Sequence, residues 1–132
     1  MEKLKFRGTL QSSDGKKMEV GLSLLSYREA DLHVVFSPAL DMFGYGNTDQ
    51  EARSSFDETL EEFLRYTANK GTLQAELLRL GWKTTGRQPR RTFKAPEFSR
   101  LLRQNEQLQE IVNHKDFHKY DQRVELPALA LA

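Results

Sequence analysis

The sequence predicts an α+β fold, in which a small antiparallel sheet packs against one main helix and an additional helix and an extended tail follow. Three observations support this class. Polar and apolar residues alternate with a period of two between residues 19 and 37, the period changes to about 3.6 after Thr48, and a second amphipathic stretch follows Pro96. Because 132 residues suffice for one compact domain, we assign residues 1–86 to this α+β domain and residues 87–132 to a basic linker, helix and tail.

The first 46 residues contain the strand and turn signals. Residues 4–11 and 16–27 are predicted strands on either side of a Ser-Ser-Asp-Gly turn. After a short polar connection, residues 32–37 alternate in the same way, which predicts an antiparallel hairpin. Pro38 ends this strand because proline has no N–H to donate. Residues 41–46 can add one more short strand, and their two glycines look like turn glycines. The apolar face of the second strand consists of Val20, Leu22 and Leu24.

The main helix begins at Thr48, because Thr48 and Glu51 have the spacing of a capping box. It ends at Asn69–Gly71, and a short second helix runs from Thr72 to Gly81. Trp82, directly after it, is expected to fold back onto apolar surface. The buried stripe of the main helix consists of Ala52, Phe56, Leu60, Phe63, Leu64 and Thr67.

The last predicted helix starts at Pro96, where proline is tolerated in the first turn, and extends to His114. Its apolar residues form a seam interrupted by the polar residue Asn105, an arrangement that can set the register of associating helices. Two interpretations remain open: a dimer seam, or a helix that lies on its own domain with Asn105 at the edge. Residues 123–132 are predicted to form a terminal strand or an extended arm. The oligomerisation residues in the first interpretation are Leu101, Asn105 and Leu108.

Composition limits the possible chemistry. The chain has no cysteine, which excludes disulfides, thiolate metal sites and cysteine nucleophiles. No apolar run approaches the roughly 18 residues of a membrane span, and the N-terminus lacks the apolar segment of a signal peptide. We therefore expect a soluble cytoplasmic protein that does not bind a membrane.

Histidines and carboxylates give only weak indications of a catalytic or metal site. On a helix, His114 and His118 would share one face, but no third ligand accompanies them. His33 lies in a strand and is interpreted as a packing residue. Four acids in the strand region occupy positions where a turn or a cap favours an acid, so the structural interpretation is preferred to metal-assisted phosphoryl chemistry. We expect no catalytic residue, cofactor site or metal site. These four acids are Glu29, Asp31, Asp41 and Asp49.

The charge is unevenly distributed although the formal net charge is only +1. Between residues 83 and 103 the sequence has seven basic residues and a single acid, with Phe93 among them. Such a segment can contact nucleic-acid phosphates, but a solvated linker or a site for an acidic partner is the preferred explanation, since no helix-turn-helix or ribbon-helix-helix accompanies the charge. The candidate nucleic-acid-binding residues are Lys83, Arg87, Arg90, Arg91, Lys94, Arg100 and Arg103.

The segment from about Glu19 to Trp82 resembles the HicB-like antitoxin family. The resemblance rests on a strand that ends in "SPALD" (37–41), a "GYGNT" turn (44–48) and Glu51-Ala52 at the start of an acidic helix. The stretch "KGTLQAELLRLGW" (70–82) also resembles the short second helix of a HicB-like subgroup. This resemblance implies a β-β-β-α-β arrangement, described as a partial RNase H fold without its catalytic carboxylates.

The resemblance further implies a non-enzymatic antitoxin that binds a small, basic HicA-type mRNA endonuclease toxin and masks its active surface, and that forms a possible homodimer. An acidic domain suits a basic partner. The helix-turn-helix or ribbon-helix-helix of many family members is missing here, so DNA binding lacks a recognisable motif. Residues 87–132 are instead a possible arm around the toxin or around a second protomer. The alternative function is a nucleic-acid-binding regulator. The expected toxin-binding residues are Asp57, Glu58, Glu61 and Glu62.

Overall fold

The computed structural model describes Phe6 and residues 8–13, 17–86 and 92–127. The fold is α+β, as predicted, and four strands precede the main helix, as the residue patterns predict, whereas the family resemblance implies three. In chain order the elements are β1 (Gly8–Ser13), β2 (Lys17–Glu29), β3 (Leu32–Ser37), β4 (Met42–Gly46), α1 (Asp49–Lys70), α2 (Leu73–Arg79), β5 (Lys83–Thr85), β6 (Thr92–Lys94), α3 (Phe98–Gln104), α4 (Glu106–His114) and β7 (His118–Pro127).

The sheet is built around β2, its longest strand. Residues 17–22 of β2 pair with β1, residues 25–29 pair with β3, and β7 pairs with residues 17–26, all antiparallel. Several residues of β2 that pair with β7 also pair with β1 or with β3. Because a strand has only two edges, β7 lies along one edge of β2, and β1 and β3 lie end to end along the other. The sheet continues through β4 beyond β3, and through β6 and β5 beyond β1.

The first core lies between the sheet and the helices α1 and α2. The predicted apolar face of β2 and the predicted stripe of α1 meet in this core, so both predictions are confirmed. Trp82 is 2% exposed, which confirms the prediction that it folds back onto apolar surface. Its indole Nε1 donates to the Ala39 carbonyl oxygen at 2.8 Å. Besides Trp82, the largest fully buried side chains in this core are Leu10, Leu22, Leu24, Phe56, Leu60, Leu64, Leu77 and Phe93.

A second core covers the opposite face of the sheet. Leu25, Tyr27, Val34 and Phe36 pack there against the C-terminal helices α3 and α4. The predicted boundary at residue 86 therefore has no counterpart in the fold, because β6 pairs with β1 and β7 pairs with β2 over ten residues. Residues 92–127 complete the sheet and its second core instead of forming a separate arm, and residues 128–132 lie outside the described structure.

The single helix predicted after Pro96 is broken at Asn105. This residue has extended backbone angles (φ −120°, ψ 107°), and its Oδ1 accepts a hydrogen bond from the Leu108 N–H at 3.0 Å, so it caps α4. Leu101 and Leu108 are only 7% and 0% exposed, because both belong to the second core. The predicted dimer seam is therefore wrong, and the alternative of a helix that lies on its own domain is correct.

Gly44 and Gly46 are not turn glycines, contrary to the prediction. Both lie within β4, and neither has a positive φ. A Cβ on Gly44 would lie 2.4 Å from the Phe56 nitrogen, and one on Gly46 would lie 2.6 Å from the Ala52 nitrogen. The two glycines instead allow the backbone of α1 to approach β4 closely.

Candidate functional site

Helix α1 is firmly held at both ends. The Glu51 N–H donates to Thr48 Oγ1 at 3.1 Å, which confirms Thr48 as the N-cap, whereas the Glu51 carboxylate accepts from the N–H of Asn47, the residue before the cap, at 2.7 Å. At the C-terminus Gly71 adopts a left-handed conformation (φ 68°), and its N–H bonds to the Ala68 carbonyl. Because one stripe of this 22-residue helix is buried, its outer side chains are displayed on a rigid support.

Four carboxylates, which we call the acidic surface, are exposed on this helix: Asp57, Glu58, Glu61 and Glu62. Asp57 accepts a hydrogen bond from Gln122 on β7, and Glu61 forms an exposed ion pair with Arg65. An exposed pair of this kind contributes only about 0–1 kcal/mol and exchanges readily with other partners. No ion pair within the described ranges involves Glu58 or Glu62, so these two carboxylates are the most available to a cationic partner.

Tyr66 adjoins the acidic surface, and the sequence analysis did not identify it as a candidate. It follows Glu62 by one helical turn, and it is 62% exposed. Tyrosine is enriched at protein–protein interfaces because its ring supplies apolar contact while its hydroxyl forms hydrogen bonds. The available signal was an aromatic residue off the predicted apolar stripe of the helix. Carboxylates beside an exposed tyrosine form a surface suited to a basic protein.

A second candidate surface, the basic groove, lies between β5, β6 and α3. The groove has a volume of about 560 Å³. Four of the seven predicted nucleic-acid-binding residues line it, so residues that are up to 20 positions apart in sequence come together in space. The other three (Arg87, Arg90 and Arg91) lie outside the described residues. The charged and polar lining consists of Lys83, Thr85, Lys94, Glu97, Ser99, Arg100 and Arg103.

Two of these cations face each other directly. Lys83 and Lys94 are register partners in the β5–β6 ladder. Like charges at opposed positions of adjacent strands destabilise a sheet. Among the residues that line the groove only Glu97 is acidic, so an anionic ligand would relieve the repulsion between the two lysines. The sequence placed these residues in one segment but did not indicate that they were cross-strand partners.

A polar network connects α1 with β2 and β7 on the face of the sheet that α1 covers. Ser26 Oγ donates to Asp49 Oδ1 at 3.0 Å, and Asp49 Oδ2 lies 2.8 Å from Arg53 Nε. The Arg53 guanidinium stacks 4.0 Å from the centre of the Tyr120 ring. Burial raises the pKa of Tyr120 to about 12, with Asp49 contributing to the rise and Arg53 opposing it. The network holds these elements together.

Three of the weak catalytic and metal candidates, His33, Asp49 and His118, line one pocket of about 330 Å³, and the others do not line it. Helix α4 ends at His114 and β7 begins at His118, so the two histidines do not share a helical face. Asp41 accepts a hydrogen bond from the Asn105 side chain at 3.3 Å, whereas Glu29 lies 3.9 Å from Lys115. Within the described residues no group of three or more histidines and carboxylates is arranged to hold a metal ion. No described helix combines the length and apolar character that a membrane crossing requires.

Comparison of the chain with protein-family models, with curated proteins and with solved structures gave no match. The two surfaces are therefore interpreted from their own residues and from the family resemblance described above.

Proposed function

We propose that this chain is a non-enzymatic antitoxin that binds a small HicA-type mRNA endonuclease toxin and covers its active surface. The observation that supports this proposal most is the acidic surface, an array of exposed carboxylates on a helix whose opposite side is fully buried. The strand, turn and capped-helix order that resembles HicB-like antitoxins supports it as well. The role places the protein in the cytoplasm, where an mRNA endonuclease acts.

The proposed mechanism is stoichiometric occlusion. Opposite charges steer the basic toxin toward α1 and disfavour wrong orientations. Tyr66 then supplies apolar contact beside the ion pairs, while water is excluded from part of the interface. Little reorganisation is needed, because the capped helix is already rigid in the free protein. Neither a cofactor nor a chemical step is involved.

The proposal predicts that the chain rescues cells from the toxin. The chain should be co-expressed with a small HicA-type toxin, with growth and co-purification as the two readouts. We expect growth to be restored and a stable complex to be recovered. If the wild-type chain gives neither a complex nor rescue, the proposal is wrong.

A second function, nucleic-acid binding, is favoured by one specific observation: the described cations of the basic segment converge on the basic groove. Lys83 and Lys94 repel each other across the β5–β6 ladder, and phosphate oxygens between them would offset that repulsion. The groove is separate from the acidic surface, so the two functions are independent of each other. A protein that binds its toxin through α1 can also contact nucleic acid through the groove.

Salt dependence tests this second function. Binding of labelled single-stranded RNA and duplex DNA should be titrated at several salt concentrations for the wild type, for an Arg100→Ala/Arg103→Ala variant and for an Arg79→Ala control. Each lost phosphate contact lowers the log–log slope by about 0.7–0.9, so we expect the double variant to lose about 1.5 from its slope and the control to lose nothing. Equal slopes for all three proteins would exclude the groove as a phosphate-binding site.

A further inference from the structure

The pocket of about 330 Å³ lies beside the first turn of α1. Leu25 and Tyr27 of β2 belong to the second core, so the side chains of Ser26 and Arg28, at the alternate positions, point to the opposite face of the sheet. Ser26 donates a hydrogen bond to Asp49, the first residue of α1, and this contact turns the same face toward the helix. The pocket is therefore formed between β2 and the start of α1.

Two histidines border this pocket from the strands on either side of β2. His33 on β3 is the register partner of Arg28, and His118 on β7 is the register partner of Ser26. Cross-strand partners point to the same face of a sheet, so both imidazoles share the face of Arg28. With strands about 4.8 Å apart and a rise of about 3.4 Å per residue, the two histidine Cα atoms are about 12 Å apart. This separation leaves room for a small ligand between the imidazoles.

The pocket presents hydrogen-bond donors that are not engaged by other side chains. Within the described ranges no ion pair involves Arg28, His33 or His118. A guanidinium group carries five N–H donors in a planar fork that matches the oxygens of a phosphate. An imidazole donates a hydrogen bond in either protonation state and adds a positive charge when it is protonated. Donors of this kind, converging from three strands, suit an anionic ligand.

Two carboxylates also line the pocket, but only one of them opposes an anion. Asp49 is occupied, because one of its oxygens accepts from Ser26 and the other lies 2.8 Å from Arg53 Nε. Asp116 is the remaining negative charge, and Arg28 balances it, so protonation of the two histidines leaves the pocket with two positive charges in excess. Among the described residues, histidines and carboxylates are not grouped to hold a metal ion. The charges thus favour an anion over a cation.

We propose that this pocket binds a tetrahedral oxyanion, the phosphate group of a small ligand, between His33 and His118 and in contact with Arg28. Its volume is near the lower end of the range of about 300–1,000 Å³ for small-molecule sites, which matches inorganic phosphate or a small phosphate monoester. The site is distinct from the basic groove, because the two share no lining residue. It is also distinct from the acidic surface, whose four residues are absent from its lining.

Nuclear magnetic resonance of the histidine rings tests the site directly. The chain has three histidines, and His114 on α4, outside the pocket, is a built-in control. Their ring signals, assigned with single His→Gln variants, should be followed in separate titrations with inorganic phosphate and with AMP at constant ionic strength. We expect His33 and His118 to shift with one common Kd while His114 stays in place. An equal shift of all three signals, or no shift of His33 and His118, would overturn the proposal.

The two titrations also distinguish the sources of the phosphate group. Equal affinity for the two ligands identifies free phosphate as sufficient, and tighter binding of AMP identifies a phosphate monoester. Both results agree with the proposed site, because the shared phosphate group is what His33, His118 and Arg28 contact.

Sulfate provides the charge test, since it keeps its two negative charges from about pH 8 to about pH 6, where histidine gains a proton. We expect the sulfate Kd to fall about tenfold over this range. At the lower pH, Arg28→Ala should raise the Kd at least about tenfold, and Arg79→Ala on α2 should leave it unchanged. A Kd that is independent of pH, or an Arg28→Ala protein that binds as the wild type does, would refute the site. No toxin is present, so the result is independent of the proposed antitoxin function.

Discussion

Replacing Gly44 with alanine is expected to lower the free energy of unfolding by about 3 kcal/mol, a cost at the upper end for overpacking. The new Cβ would lie 2.4 Å from the Phe56 nitrogen and 2.5 Å from the Ala52 carbonyl oxygen. Both atoms belong to the backbone of α1, so no side-chain rotation can relieve the clash. The helix must move away from β4, which also disturbs the buried contacts of Phe56. Urea denaturation at equilibrium measures the change.

Gly71→Ala is the matched control for this prediction. A Cβ on Gly71 meets nothing within 4 Å, but the residue has a φ of +68°, so alanine there pays only the cost of the left-handed conformation, about 1–2 kcal/mol. The comparison separates a steric effect from a conformational one. A Gly44→Ala protein that is no less stable than Gly71→Ala would contradict the close approach of α1 to β4.

Trp82→Ala is expected to cost about 4 kcal/mol of unfolding free energy, the range measured for large-to-small changes of buried aromatic residues. The substitution opens a cavity in the first core and leaves the Ala39 carbonyl oxygen without its indole donor. Urea denaturation again provides the measurement. The control is Leu78→Ala on α2, where the leucine is 46% exposed and the expected loss is below about 0.5 kcal/mol.

A more conservative substitution identifies the contribution of the hydrogen bond from Trp82. Trp82→Phe keeps much of the ring volume but removes Nε1. The loss of unfolding free energy should therefore lie between that of Leu78→Ala and that of Trp82→Ala. If Trp82→Ala were as stable as Leu78→Ala, the indole would not be part of the core.

The elements that depend on neighbouring residues were predictable from the sequence. The alternation of Val20, Leu22 and Leu24 identified the inner face of β2, and the spacing of Thr48 and Glu51 identified the start of α1. The cap joins two residues that are three positions apart, and the apolar face is a pattern that repeats along a single strand. Local patterns carry such information directly.

The features that depend on distant segments were not predictable. Gly44 was assigned to a turn because only its backbone freedom is visible in the sequence, whereas its role arises from the approach of Phe56. Asn105 was placed in a helical seam because the surrounding leucines have helical spacing, which does not reveal a helix break. The consecutive Val34, Val35 and Phe36 did contain a signal for the second core, since a continuous apolar run is typical of a strand buried on both faces.

Of the two candidate surfaces, the acidic surface was predictable from the sequence and the basic groove was not. The acids of α1 were identified from helical periodicity alone, and the structure places all four on the exposed side of that helix. The basic residues were recognised as a segment, but their convergence depends on the pairing of β5 with β6 and on the position of α3. Pairings of this kind depend on loop lengths and on packing between elements, which a single sequence does not specify.

Titration of the purified HicA-type toxin with the wild-type chain and with a Glu58→Lys/Glu62→Lys variant tests the central claim most directly. We expect the double charge reversal to weaken binding by about 100-fold, because like charges then oppose each other at the interface. The control, Glu106→Lys/Glu110→Lys on exposed positions of α4, should bind as the wild type does. Unchanged toxin affinity in the Glu58→Lys/Glu62→Lys variant, with its fold intact by circular dichroism, would contradict binding through the acidic surface of α1.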